Sequence, residues 1–181
     1  MDGTTATADD FLDRALLEEA VKKSGLLWVR AADGASAQPL WHAWYDGAVV
    51  LVGDGGEQPL HGLRGDGTAV VTVRSKDKWG RLVAFVAEVS VLEPGSEAWT
   101  GAVEELKAKR LNAPDTDTIT ERWAAECRVL RLLPTGGLTE RPGAMPTDSH
   151  AAQPLPSPVT TRQPIPAGLP KLVLGRLRRK G

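Results

Sequence analysis

The chain has 181 residues, a net charge of −1 and 41% hydrophobic residues, enough for one well-buried domain or for a domain with a tail. Its single cysteine, Cys127, excludes an intramolecular disulfide, and no apolar run approaches the ~20 residues that span a bilayer. The acidic, polar segment Met1 to Asp10 is unlike a secretory leader, so a cytoplasmic location is expected.

Asp9 to Lys23 reads as an amphipathic helix with Leu12, Ala15, Leu16 and Ala20 on its apolar face, acids at its start and Lys22-Lys23-Ser24-Gly25 at its end. Five strands are predicted next: Leu26 to Arg30, Pro39 to Tyr45, Ala48 to Val52, Thr68 to Arg74 and Arg81 to Leu92. All are rich in β-branched and aromatic residues. Asp46-Gly47 between the second and third is a type I′ hairpin signal, because that turn needs positive φ at both central residues. Trp41 and Trp44, three apart on the second strand, face opposite sides. The fifth strand is apolar on both faces over Leu82 to Val86, which predicts a subunit interface, since a small antiparallel barrel needs only one apolar face. Ser96 caps a helix from Glu97 to Leu111 that buries Trp99, Ala102, Val103 and Leu106. A short helix over Thr120 to Ala125 leads into a closing strand from Cys127 to Leu133. The thiol of Cys127, in an apolar context, reads as buried and inert.

Composition changes at Pro134. Nine of the thirteen prolines lie from there on, and all six tryptophans before it. The expected organisation is a barrel domain over residues 1–133 and a Pro-rich tail over 134–181, disordered for most of its length because it has little apolar surface to bury. The tail carries seven of the 22 basic residues and two of the 23 acids (+5), leaving 15 and 21 (−6) in the domain. Its last segment, Lys171 to Lys180, interleaves Lys171, Arg176, Arg178, Arg179 and Lys180 with leucines and valine. Such a basic amphipathic peptide suits an anionic membrane, an acidic protein groove or nucleic acid, or serves only as a solubilising end.

The element order, with Trp44-Tyr45-Asp46-Gly47, the strand Val49 to Val52, Leu63-Arg64 and the strand Ala69 to Val73, resembles the pyridoxamine 5′-phosphate oxidase-like split-barrel family over Asp9 to Pro134. The resemblance implies a mostly β fold with flanking helices, a six-stranded antiparallel split barrel, and a homodimer with FMN at the subunit interface. In that family the loop after the third strand holds the flavin phosphate with hydroxyl and basic side chains. Here the corresponding positions are Gly53 and Pro59, with Asp54 and Glu57 in the loop, and two carboxylates repel a phosphate. The segment 53–62 therefore reads first as a flexible turn.

The expected cofactor-binding residues are Arg64, Arg74, Lys78 and Arg81 as anion anchors and Trp44 as a stacking surface. No catalytic residue stands out. His42 and His61 have no partners at metal-ligand spacing, so no metal site is expected. The functional expectation is an FMN-binding dimer, an oxidoreductase if it is an enzyme. The alternatives are a non-catalytic dimeric module without flavin, or a relative that binds deazaflavin or haem, for which only His42 or His61 offers a core axial ligand.

Overall fold

The computed structural model describes residues 8–34, 36–75 and 80–144. Helix α1 (Ala8–Lys23) precedes strands β1 (Leu27–Ala31), β2 (Gln38–Leu40), β3 (Ala43–Tyr45), β4 (Ala48–Gly53), β5 (Asp66–Arg74) and β6 (Arg81–Val91). Helices α2 (Glu97–Lys109) and α3 (Ile119–Glu126) then lead into β7 (Arg128–Glu140). All seven strands form one antiparallel sheet in the order β2-β1-β5-β6-β7-β4-β3.

The count corrects the expected six strands. The predicted strand Pro39 to Tyr45 is two, because β2 pairs with β1 while β3 pairs with β4, at opposite edges of the sheet. This break closes the barrel. Leu40 and Ala43 are three residues apart, hence at most about 11 Å, whereas the outer strands of a flat seven-stranded sheet lie roughly 29 Å apart. The sheet has to curl until its edges meet at Trp41 and His42. Gln58 serves the backbone there: its Oε1 accepts the Trp41 N–H at 2.8 Å, and its Nε2 donates to the carbonyls of Trp41 at 2.8 Å and Val52 at 3.1 Å. A side-chain amide thus stands in for a strand neighbour.

Other local features follow their sequence signals. Asp46 and Gly47 have φ of 45° and 70°, the left-handed pair of the expected turn, and Tyr45 faces Ala48 in register. The Ser96 side chain accepts the Trp99 N–H at 3.2 Å, starting α2, which buries Trp99, Ala102, Val103 and Leu106 as its spacing predicts.

The barrel interior is filled by residues such as Leu27, Val29, Leu51, Val71, Phe85 and Leu130, with α1 over one end through Leu17, Ala20 and Val21. A second cluster lies on the other face of β4, where Val50, Val52 and Val129 meet α2 and α3 through Trp99, Val103, Leu106 and Trp123. With a layer on each side, every residue of β4 is buried. Trp44 packs on the interior and Trp41 on the helical layer, 6.4 Å from Trp123. The predicted face of α1 needs correction: Leu12 is 62% and Leu16 37% exposed, and the inward stripe is Leu17, Ala20 and Val21.

The closing strand runs past Leu133 to Glu140. Pro134 is accommodated because β4 pairs only with Arg128 to Leu132, so beyond that point β7 has a free side that needs no N–H donor. Residues 145–181, with the basic segment Lys171 to Lys180, lie outside the described residues.

Candidate functional site

The loop after β4 is not a free turn. Asp54, Gly55 and Gly56 all take positive φ, the Asp54 N–H donates to Gln58 O at 3.0 Å, and the Glu57 N–H donates to Asp54 O at 2.8 Å. Glu57 points inward, with its side chain 2% exposed. Its Oε2 pairs with Arg110 Nε at 3.0 Å, and its Oε1 pairs with Arg122 Nη2 at 2.9 Å and accepts the Trp123 Nε1–H at 3.1 Å. Burial alone would raise the Glu57 pKa, but the hydrogen bonds from Arg122 and Trp123 and the charges of Arg110 and Arg122 outweigh it, leaving the carboxyl below its ordinary range. Arg122 also pairs with Asp115, and Arg128 pairs with Asp54 at 2.7 Å while donating to the Leu63 and Leu60 carbonyls.

This arrangement settles what the loop can hold. Each guanidinium that reaches it already faces a carboxylate of the chain, so among the described residues no uncommitted guanidinium reaches the loop to hold a phosphate. The segment does not fit the phosphate end of a flavin nucleotide. Nothing near Asp54 or Glu57 in sequence announces this, because Arg110, Arg122 and Arg128 lie 53 to 74 residues downstream of their partners. Cys127, at the end of α3, is half-buried against the Asp54 and Gly55 carbonyls, and burial raises its thiol pKa, as an inert cysteine requires.

The expected anchors do not converge. Arg64 is exposed before the start of β5, and Arg74 ends that nine-residue strand, roughly 26 Å away along its axis. Arg74 and Arg81 do meet, as register partners on β5 and β6. Arg81 donates to Glu140 at 2.8 Å, and the Arg74 guanidinium sits 4.6 Å above the Trp28 ring. Lys78 lies outside the described residues. Trp44 lies elsewhere, under α1 beside Arg14 and Gly47.

Arg74 lines a cleft of about 320 Å³ between the end of α1 and the β5–β6 hairpin, with Leu16, Ala20, Lys23 and Leu82 among its walls. Lys23 is paired with Glu19 on the same helix. The outward side of the sheet continues from this cleft through half-buried Trp28, Val70, Leu82 and Val86. The cleft thus combines an apolar wall with the Arg74 guanidinium at its edge.

Neither His42 nor His61 is well placed as a haem ligand. His42 is 2% exposed, and its Nε2–H donates to the Val21 carbonyl at 3.0 Å, leaving Nδ1 without a partner among the described residues. Burial depresses its pKa to about 4, so it is neutral at neutral pH. His61 is exposed on the loop surface. Among the described residues no cluster of three or more His, Cys, Asp or Glu can hold a metal ion, and no helix is long and apolar enough to cross a membrane.

No protein-family model matches the chain, and no curated protein matches it in sequence. Solved structures do match in fold. HutZ, the haem storage protein of Vibrio cholerae, aligns with a TM-score of 0.50 at 16% identity over 67% of this chain and 89% of its own. A conserved hypothetical protein of Mycobacterium tuberculosis aligns with a TM-score of 0.53 at 18% identity over 74% of this chain and 87% of its own. At such identity the likeness is one of fold, and the fold is the split barrel of the pyridoxamine 5′-phosphate oxidase-like proteins.

Proposed function

We propose that this chain acts as a homodimer that binds a flavin, FMN in the first instance, in the cleft between α1 and the β5–β6 hairpin, with Arg74 facing the cofactor's anionic end. The observation that carries the reading is the apolar outer strip of β1, β5 and β6 beside that cleft, with Trp28, Val70, Leu82 and Val86 only half covered by the chain's own residues. A second copy laid on the strip would bury it and wall the cleft. The bound flavin would supply the redox chemistry; the chain would supply stacking surface, charge and exclusion of water.

A second reading is a dimeric binding module without flavin. The loop 53–62 supports it, since Asp54 and Glu57 take up the arginines that reach it. A haem-binding role, as the name of HutZ brings to mind, finds less support, because His42 is enclosed and committed to Val21.

The test is an absorbance spectrum of the purified full chain with and without FMN, together with its mass in solution. The proposal expects a dimer with saturable FMN binding that Arg74→Gln weakens about tenfold or more, as loss of a charged hydrogen-bond donor does. A colourless dimer indifferent to FMN would favour the module, and a monomer would defeat both readings.

A further inference from the structure

A second concavity lies on the other side of α1, where that helix crosses the end of β7. Two cavities, of about 340 and 170 Å³, share Arg14, Leu17 and Pro134 in their walls and so lie side by side along the helix. Leu17, Pro134 and Leu138 give the larger cavity its apolar lining, Phe11 stands at one end at 71% exposure, and half-buried Trp44 closes the other. The larger volume alone reaches the lower bound of roughly 300 Å³ for small-molecule sites.

The groove is shaped by a distortion in β7. In register, Val86 faces Thr135 and Ala84 faces Glu140, so Phe85 alone spans the four residues Gly136 to Thr139. This wide bulge, with Gly136 at φ 70°, turns Leu138 toward α1, where Asp13 accepts the Leu138 N–H at 3.3 Å and pairs with Arg141. That commitment removes Asp13 from the groove's open chemistry. Glu18 is similarly taken by Lys22. Arg14, on the wall the two cavities share, makes no ion pair or hydrogen bond to any described residue.

We infer that this groove binds a small aromatic carboxylate, its ring on the apolar floor between Phe11 and Trp44 and its carboxylate on the Arg14 guanidinium. A planar two-donor fork beside an apolar slot favours a ring that carries an anionic group over a neutral ring. The site is separate from the Arg74 cleft, and the inference does not rest on flavin binding.

The probes are 2-naphthoate and its neutral counterpart 2-naphthol, titrated calorimetrically into the full chain, Arg14→Gln and Phe11→Ala. Both substituted side chains are exposed, so both variants should keep the parent's unfolding midpoint. The expected result is naphthoate bound about tenfold or more tightly than naphthol by the parent, with that preference lost in R14Q and both ligands weakened alike in F11A. Equal affinity for the two ligands in the parent, a preference that survives in R14Q, or no saturable binding of either would overturn the assignment.

Discussion

Replacing Glu57 with glutamine tests whether the loop after β4 is held by an internal anion. The substitution keeps shape and an Oε1 acceptor for the Trp123 indole, removes the charge that faces Arg110 and Arg122, and puts an amide NH2 where Oε2 accepted the Arg110 Nε–H. Breaking a buried ion pair from one side costs about 3–5 kcal/mol. The arginine side chains here retain 28% and 23% exposure, so water recovers part of the loss, and about 2–3 kcal/mol is expected. Glu57→Ala should cost a further ~1–2 kcal/mol, because the indole N–H of fully buried Trp123 then has no acceptor. Urea unfolding at pH 7 of the parent and both variants measures these differences. The gap between parent and E57Q should narrow in acid: a depressed folded pKa contributes stability above the ordinary glutamate range, lost as pH falls through the folded value. An E57Q variant within about 0.5 kcal/mol of the parent, the range of an ordinary surface substitution, would refute the reasoning.

Three further outcomes are expected. His42 is neutral in the fold and charges more readily when unfolded, so its contribution is complete above pH ~6.5 and is lost as pH falls toward about 4; the full loss is about 3 kcal/mol, and unfolding free energies across that window should be flatter in His42→Gln. Gly101→Ala, normally favourable in a helix by up to about 1 kcal/mol, should destabilise instead, since its Cβ would lie 2.1 Å from the Tyr45 hydroxyl; Tyr45→Ala in the same chain should restore the usual sign in thermal unfolding. Gln58→Ala strands the Trp41 N–H and carbonyl at the barrel seam and should cost about 2–3 kcal/mol, with faster amide exchange at Trp41 as its signature.

What the sequence makes legible here is local. The Asp46-Gly47 turn, the Ser96 cap and the buried spacing of α2 each involve residues within one or two turns of chain. The split of Pro39 to Tyr45 is invisible at that range: the run is apolar apart from His42, and the side chain that replaces its ladder bonds, Gln58, comes 17 residues after Trp41. Helix α1 carries two apolar stripes, and only the barrel's position decides that Leu17 and Val21 face inward while Leu12 and Leu16 do not. Pro134 and Gly136-Gly137 read as strand breakers, yet the first lies where β7 has one neighbour and the others form its bulge. Arg74 and Arg81 meet as hairpin geometry predicts; the commitments of Asp54 and Glu57 depend on arginines of α3 and the segments after α2 and α3.

The central position of β7 has a consequence for how the chain reaches this state. Val49 pairs with Leu132 and Ser90 with Arg131, so β4 and β6 gain a shared neighbour only after the intervening helices have been made. Until then the most apolar strand of the molecule, Ala48 to Gly53, presents an open edge beyond its short hairpin partner. Nascent or truncated chains that stop short of Arg128 should therefore self-associate through β4, and the late, long-range closure by β7 should limit the folding rate.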